Sequence, residues 1–228
     1  MRDDDSDRPG IRKGVAWGVP SLSDPDLVVV GSDADLAAAF ATRPGARFGF
    51  EPDGSSDLGA TLGLRAGAEP VGLELRIDVL WISLDEREEV AVCANATFGC
   101  RPQALRRSTR RRDGQITIDG QTRPLRAAGI VVANAQHLDR MRIVPRGHPG
   151  DGRAEAQWFG LAPTQRAKFR KRLPTGDHLD HPDVGRTSFR TLKVAWNRPT
   201  AVHLDSRPVG TAKVARVRVE AGALRLRV

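Results

Sequence analysis

In "DLVVVGSDADLAAAF", residues 26–40, an apolar run is followed by a short turn and then by a helix-like run. The stretch "ARFGFEPDGSSDLGATLGL", residues 46–64, repeats the same order, from an apolar segment through Gly and Ser to helix-like spacing. Two strand–turn–helix units in series predict parallel strands that are joined by crossover helices.

From Val71 onward the pattern changes to an alternation of apolar and polar residues with turn signals in between. In "VARVRVE", residues 214–220, and "ALRLRV", residues 223–228, Val and Leu alternate with Arg. Each such strand should turn one face to a core and an arginine face to water. The same period of two occurs in "RIDVLWISL", "EVAVCANATF", "QITIDGQ", "AGIVVANAQ" and "TLKVAWN". This part of the chain therefore predicts an antiparallel β-sandwich.

We accordingly predict a fold of the class α/β plus all-β, with a reduced N-terminal α/β lobe followed by a C-terminal antiparallel β-sandwich. Residues 1–25, rich in Asp, Pro and Gly, are expected to be a flexible or partial N-terminal segment. Residues 26–70 form the predicted α/β lobe and residues 71–228 the sandwich, whose last strands can return to the N-terminal lobe.

The composition limits the function. With 228 residues and 39% hydrophobic residues, the chain can form one large domain or two small ones with real cores. Its 36 Lys and Arg against 28 Asp and Glu give a net charge of +8, which favours an anionic partner such as a phosphorylated ligand, an anionic lipid surface or nucleic acid. Aromatic residues make up only 5%, Tyr is absent, and no RNA-binding motif is present, so a phosphorylated ligand or a lipid surface is favoured over nucleic acid.

The apolar segments and the cysteines of the sequence indicate the location of the protein and the redox state of its thiols. The sequence contains neither a transmembrane segment nor a signal-peptide core, and its start, "MRDDDSDRPG", is polar and acidic. We predict a cytoplasmic protein that can lie peripherally at the inner membrane surface. Cys93 and Cys100 are too few for a disulfide framework or a four-ligand metal site, so both are expected to be reduced and buried.

The residues that punctuate these elements resemble those of the diacylglycerol kinase catalytic family of lipid kinases, which shares a superfamily with NAD kinase. Where that family has Gly-Gly-Asp-Gly-Thr between a strand and a helix, this chain has Gly31 to Asp35. The turn "PDGSSDLGATLGL", residues 52–64, is similar to Pro-x-Gly-Thr-Gly-Asn-Asp-Phe-Ala but one residue shorter. Residues 95–99, 131–155 and 178–184 and the C-terminus also fit, so the resemblance runs from about residue 26 to the end.

The resemblance implies an NAD-kinase-like N-terminal lobe, ATP held between the lobes, and phosphoryl transfer to a lipid hydroxyl with Mg²⁺ held by carboxylates. A glycine-rich turn at a helix N-terminus suits this chemistry because glycine lets backbone N–H groups approach phosphate oxygens. Asp33 and Asp205 are then the candidate catalytic acids, and Asp151 is a candidate Mg²⁺ ligand. The candidate nucleotide-binding residues are Gly31, Ser32, Asp33, Gly54, Ser55, Ser56 and Asp57.

The first loop departs from the family pattern. Ser32, Ala34 and Asp35 stand where the family has Gly, Gly and Thr. Asp33 and Asp35 also place two carboxylates beside the expected phosphate, and two unit charges at about 4 Å interact by roughly 1 kcal/mol in water and about 4 kcal/mol near a protein surface. The alternative is that Ser32, Asp33 or Asp35 caps the following helix.

The second loop and the C-terminal motif depart in the same way. Ser55 and Ser56 replace a glycine and an asparagine, and they can either bind a phosphate or cap the next helix. The family's Asp-Gly-Glu reads Asp205, Ser206 and Arg207, so only Asp205 carries over. Arginine stays protonated at neutral pH and cannot accept a proton. Asp205 can equally be a turn residue at the end of a strand.

Two functions follow from these observations. The first is an ATP- and Mg²⁺-dependent lipid kinase of the diacylglycerol type. The second is a catalytically inactive relative that binds lipid or protein. The expected partners are a lipid substrate or an anionic membrane surface, with a homodimer left open. The basic runs 101–112 and 166–172 can bind anionic headgroups or be solvated loops.

In "DHLDH", residues 177–181, the two histidines indicate a loop contact rather than a metal site. Only 25 residues precede the first predicted strand, and none of them matches the family's opening strand. We therefore expect either a reduced protein or a start assigned too far downstream.

Overall fold

The computed structural model describes residues 18–21, 23–65, 67, 72–145 and 147–228, so most of the predicted N-terminal segment 1–25 lies outside the described residues. The helices are α1 (Asp33–Thr42), α2 (Asp57–Leu62) and α3 (Arg166–Arg172), with a 3-10 helix at Pro102–Ala104. The strands are β1 (Val19–Pro20), β2 (Leu27–Gly31), β3 (Arg47–Pro52), β4 (Leu73–Leu84), β5 (Val90–Val92), β6 (Asn95–Gly99), β7 (Arg112–Ile118), β8 (Gln121–Ala127), β9 (Gly129–Ala133), β10 (Ala154–Phe159), β11 (Val184–Phe189), β12 (Thr191–Leu204) and β13 (Arg207–Arg227).

The stretch 26–40 folds as its pattern predicts. Strand β2 pairs with β3 in parallel, with Leu27 opposite Phe48, and α1 connects the two strands. Helix α1 buries Leu36 and Phe40 against this sheet, and Phe40 packs on the Phe48 ring at 6.5 Å between ring centres. The small lobe therefore consists of two strand–helix units, and the N-termini of α1 and α2 both follow the carboxyl ends of its parallel strands.

Most strands from β4 onward form the predicted antiparallel sandwich. Strand β12 pairs with β13, β6 and β7, and β6 continues the sheet through β9 and β10 to β11. Several hairpins turn through two residues of positive φ, among them Asp119–Gly120 and Asp205–Ser206, which is typical of type I′ turns. No helix in the described ranges is long and apolar enough to cross a membrane.

The C-terminal strand differs from the expectation of two separate strands. "VARVRVE" and "ALRLRV" belong to a single strand of 21 residues, β13. Its pairing with β4 shifts in register between Glu220 and Leu224, where Gly222 has a φ of +58° that a residue with a side chain rarely adopts. Beyond this irregularity β13 leaves the sandwich and pairs in parallel with β3, so the chain's last residues belong to the small lobe's sheet.

The segment "RAKFRKR", residues 166–172, forms helix α3 and not a solvated loop. Phe169 is buried and packs edge-on against Phe159 at 5.4 Å, and Arg166, three residues earlier on the same face, is only 1% exposed. The buried face formed by these two residues decides the conformation of the segment, and its other charges point outward. Cys93 is free and buried, whereas Cys100 is free and partly exposed, so the prediction that both are buried is wrong for Cys100.

Candidate functional site

The first predicted phosphate loop is closed by its own side chain. Ser32 is the N-cap of α1, and the Asp35 carboxylate accepts hydrogen bonds from the Ser32 backbone N–H at 2.9 Å and from its hydroxyl at 2.7 Å. Gly31 has a φ of +145°, and a Cβ there would lie 2.6 Å from the Asp35 carboxylate. The Asp35 carboxylate therefore packs against Gly31, where both the φ angle and the close contact require glycine. The hydrogen bonds from Ser32, and then Arg207, lower the pKa of Asp35 to about 2.

Arg207 reaches this loop from the opposite end of the chain. It follows the β12–β13 turn, and its guanidinium donates to Asp35 at 2.7 Å and to the Ser32 hydroxyl at 2.9 Å. Residues 32, 35 and 207 are three of the positions at which the sequence departs from the resembled motifs. The side chains of Ser32, Asp35 and Arg207 form one hydrogen-bonded cluster, which we call the Arg207 bridge.

Asp33 points away from α1 and toward the second loop. Its carboxylate accepts hydrogen bonds from the Ser56 hydroxyl, from the Asp57 N–H at 2.7 Å and from the Leu58 N–H at 3.3 Å. The residue is only 4% exposed. Of the three candidates for capping α1, Ser32 and Asp35 serve that helix, whereas Asp33 caps the N-terminus of α2.

Other polar groups of the second loop are also bound within the chain. Ser56 is the N-cap of α2 and accepts a hydrogen bond from the Gly59 N–H at 2.7 Å. The Ser55 N–H and hydroxyl both donate to Asp53, at 2.8 and 2.6 Å. The Gly54 carbonyl accepts from the Arg140 side chain at 3.0 Å. Both serines therefore have intramolecular partners where the resemblance implies a nucleotide.

Asp57 lies behind this loop in a polar, buried pocket. The Asn95 side-chain amide donates to the Asp57 carboxylate at 3.2 Å and to the His137 carbonyl at 2.6 Å. Burial, and next the negative charge of Asp33, raise the pKa of Asp57 to about 7. The side-chain oxygen of Asn95 is buried and has no hydrogen-bond partner among the described residues.

Asp205 joins the same buried region from the β12–β13 turn. Its φ of +43° suits the first residue of a two-residue turn, and its carboxylate accepts hydrogen bonds from the N–H groups of Cys93, Ala94 and Asn95 at 3.0, 2.9 and 3.0 Å. Burial and the charge of Asp33 raise the pKa of Asp205 to about 7, and burial also raises that of Asp33. The predicted residues Asp33, Asp57 and Asp205 thus form one group of interacting buried acids.

Asp151 lies elsewhere. It is exposed before β10, and its side chain accepts a hydrogen bond from the Arg153 N–H at 2.9 Å. Its negative charge acts on Asp78 rather than on the three buried acids. Within the described ranges, no group of three or more His, Cys, Asp or Glu side chains could hold a metal ion.

These contacts test whether the loops fit a nucleoside triphosphate. A phosphate needs N–H and O–H donors, and those of Ser32, Ser55, Ser56 and the first turn of α2 are taken by Asp35, Asp53 and Asp33. A triphosphate would have to displace these carboxylates or lie beside their charges, each of which would repel it. The residues present do not fit ATP with Mg²⁺ in this arrangement.

Two residues of the site were missed by sequence reasoning. Asp53 could have been found, because Asp two residues before Ser is the signature of an Asx-turn. Arg140 carries no such signal, since its contact with Gly54 spans 86 residues and depends on the turn at Asp139–Arg140, where both residues have positive φ.

Comparison with known proteins places this geometry in context. A family model described as the YegS C-terminal NAD kinase beta sandwich-like domain matches residues 89–228. No curated protein matches the chain.

Solved structures from Bacillus anthracis str. Sterne share the fold. One, described as a "putative diacylglycerol kinase", superposes with a TM-score of 0.68 at 14% identity over 88% of this chain and 77% of that chain. A second, described in the same words, gives a TM-score of 0.70 at 14% identity over 88% and 76%. A third, described as a diacylglycerol kinase, gives 0.67 at 16% identity over 88% and 75%. The family match and the shared fold confirm the predicted resemblance and the C-terminal β-sandwich.

Proposed function

Because the chain belongs to the family of the YegS C-terminal NAD kinase beta sandwich-like domain, we propose that it is a lipid-kinase-like protein that has lost phosphoryl transfer and works by binding anionic lipid surfaces. The observation that carries the proposal is the occupation of both predicted phosphate loops by the carboxylates of Asp33, Asp35 and Asp53. An anion at a helix N-terminus is stabilising, and here the chain supplies that anion itself.

The Arg207 bridge supports the loss of catalysis independently. Where the resemblance implies a glutamate able to accept the proton of an alcohol, Arg207 carries a permanent positive charge. Its partner Asp35 stands where the resemblance implies a threonine. An arginine in place of the glutamate and an aspartate in place of the threonine together form the Arg207–Asp35 ion pair. Two substitutions that compensate each other would give this result once phosphate no longer binds.

The proposed lipid-binding surface is the basic face, which consists of residues 101–112 together with α3. Arg166 of α3 connects these two parts. Its buried guanidinium donates to the carbonyls of Leu161 and Arg106, at 3.2 and 2.7 Å, and also to that of Thr109. Several cations of this face have no ion pair in the described part of the chain: Arg106, Arg107, Arg110, Lys168, Arg170, Lys171 and Arg172.

A lipid surface suits this face better than nucleic acid does. Each Lys or Arg close to an anionic bilayer contributes about 1 kcal/mol, so several together give measurable binding. Binding of single-stranded nucleic acid relies on exposed aromatic rings that stack with bases. The one aromatic residue of the basic face, Phe169, is buried against Phe159.

Calorimetric titration with ATP and Mg²⁺ tests the loss of catalysis. We expect no saturable binding, and no phosphate transfer to diacylglycerol in mixed micelles. An active kinase is the second candidate, favoured by the convergence of Asp33, Asp57 and Asp205 in one buried group. Micromolar ATP binding that is lost in Asp205→Asn would establish the kinase and refute the proposal.

Co-sedimentation with vesicles tests the lipid partner. Binding should require an anionic lipid such as phosphatidylglycerol and should weaken on Arg106→Gln/Arg107→Gln, but not on Arg43→Gln/Arg65→Gln, which removes the same charge from the small lobe. Equal loss in both variants would contradict a specific face. Tighter binding to an oligonucleotide than to vesicles would favour nucleic acid instead. The cytoplasmic location, the peripheral site at the inner membrane and the homodimer stay predictions.

A further inference from the structure

A cavity of about 330 Å³ opens beside α3, at the edge of the basic face. Its volume falls in the range of small-molecule sites. It shares no described lining residue with the buried acids or the two phosphate loops. The cavity is lined by Thr164, Gln165, Lys168, Phe169, Arg172, His178 and His181.

The polar side chains of this cavity present donors. The Gln165 side-chain oxygen already accepts a hydrogen bond from the Ala162 N–H at 2.8 Å, which leaves its NH₂ group for a ligand. The His181 Nδ1 atom accepts from the Asp183 N–H at 3.1 Å, so the proton of the neutral ring resides on Nε2, which can donate. Gln165 and His181 have thus used these acceptors within the chain, whereas the Thr164 hydroxyl can donate as well as accept.

Two positive charges lie in the same wall. Lys168 and Arg172 are four residues apart on α3 and therefore neighbours on one side of the helix. Neither forms an ion pair within the described part of the chain, and none of the described lining residues carries a carboxylate. The carboxylates of the adjoining segment, Asp177, Asp180 and Asp183, are exposed and do not line the cavity.

The inner wall is aromatic, and contacts within the chain fix its rings. The Phe169 ring meets the ring of buried His178 edge-to-face at 5.5 Å between ring centres. His178 is fixed in turn by its Nε2 contact with the Gln157 side-chain oxygen at 3.3 Å. The cavity therefore combines a cationic, donor-lined rim with an aromatic wall, which suits an anionic group attached to a small organic body.

We infer that this cavity binds a phosphomonoester, whose oxygens accept from Lys168, Arg172 and the His181 Nε2–H while its organic part lies on Phe169. Phosphate oxygens only accept hydrogen bonds at full ionisation, which matches the donors and the two positive charges of this rim. The inference extends the proposed binding of anionic lipid, because α3 belongs to the basic face. It is independent of the loss of phosphoryl transfer. The phosphomonoester can be a free metabolite or the headgroup of a lipid.

Titration with glycerol 3-phosphate, followed by NMR of the His181 ring and by calorimetry, tests the site itself. We expect saturable binding that weakens at least ~10-fold in Lys168→Ala/Arg172→Ala, because two charge-assisted hydrogen bonds are lost. The matched control Arg107→Ala/Lys171→Ala removes the same charge from the basic face outside the cavity, and it should retain the affinity within about 2-fold. Equal weakening in both double variants, or no saturation in the wild type, would overturn the inference.

Vesicles distinguish the two sources of the phosphate and separate this inference from the proposed function. At equal vesicle charge, preference for phosphatidic acid over phosphatidylglycerol that disappears in Lys168→Ala/Arg172→Ala assigns the site to a lipid headgroup. Saturable glycerol 3-phosphate binding without that preference assigns it to a free phosphomonoester. Charge-dependent vesicle binding with no glycerol 3-phosphate binding would keep the basic face and refute the cavity site.

Discussion

Asp33 acts on α2 as a bound anion would. Its carboxylate satisfies the Ser56 hydroxyl and the N–H groups of Asp57 and Leu58, and all of these groups are buried. Asp33→Ala leaves these donors without an acceptor and should lower the free energy of unfolding by about 3 kcal/mol. Asp33→Asn keeps one acceptor oxygen and should cost less. Urea denaturation followed by circular dichroism measures both changes.

Asp53 provides the control for this prediction. It makes two comparable hydrogen bonds with Ser55, but it is exposed, so water replaces them when the side chain is removed. Asp53→Ala should therefore change stability by less than about 1 kcal/mol. If Asp33→Ala and Asp53→Ala were equally stable, the role of Asp33 as the internal anion would be wrong.

The buried acids predict an unusual dependence of stability on pH. The pKa values of Asp57 and Asp205 are raised to about 7 in the folded chain, whereas an unfolded aspartate has a pKa of about 4. The folded state therefore holds more protons than the unfolded state, and the contribution of these groups is present below pH ~4 and lost as the pH rises to ~7. Unfolding free energies measured at several pH values should fall over this interval.

Substitution isolates that contribution. Asp57→Asn removes one titrating group and retains the shape of the side chain, so the fall in stability between pH ~4 and ~7 should become shallower. Asp35 has the opposite sign, because its lowered pKa gives stability that is lost only as the pH falls from ~4 toward ~2. A slope unchanged in Asp57→Asn would show that the acid titrates normally in the folded chain.

Helix α3 holds the loop that precedes β7 in place. The Arg166 guanidinium binds the carbonyls of Leu161, Arg106 and Thr109 and has no carboxylate partner within the described residues. Arg166→Leu should leave these carbonyls unpaired, lower stability by about 3 kcal/mol and release residues 106–111. Limited trypsin digestion reports the release directly, because the loop contains several arginines.

Arg170→Leu is the matched control for this element. Arg170 lies on the same helix but has no hydrogen bond or ion pair from its side chain to a described residue, so its loss should leave the cleavage rate nearly unchanged. Equal acceleration of cleavage in both variants would mean that the helix, and not the Arg166 contacts, orders the loop.

Elements also show what the sequence could predict. The sequence predicted the parallel strands β2 and β3 and the alternating strands from their local pattern of apolar residues. A strand that is buried on one face needs such a pattern. Helix α3 was missed because its buried face consists of only two residues, one of them an arginine. In the site, capping by Ser32 and Ser56 was predictable, but the reach of Asp33 to α2 and of Arg207 to Asp35 depends on contacts between residues 23 to 172 positions apart.

Two strands, β4 and β13, contribute side chains to both the core of the small lobe and the core of the sandwich. Strand β4 places Leu75, Ile77 and Val79 in the core of the small lobe and Leu80 and Ile82 in that of the sandwich. Strand β13 does the same, with Val217 in the sandwich and Leu226 in the small lobe. The two lobes therefore share backbone hydrogen bonds rather than meeting only through side chains, and they should unfold as one unit.

Leu226→Ala tests this coupling at the far end of β13. The side chain is fully buried in the small lobe, so its truncation should cost about 2–5 kcal/mol. Because β13 continues into the sandwich, hydrogen exchange measured by mass spectrometry should speed up by the same factor in peptides from β3 and from the C-terminal half of β12. Acceleration confined to β2, β3 and the last residues of β13 would show instead that the small lobe opens separately. In that case the Arg207 bridge, which ties the β12–β13 turn to α1, would be the contact that must break first.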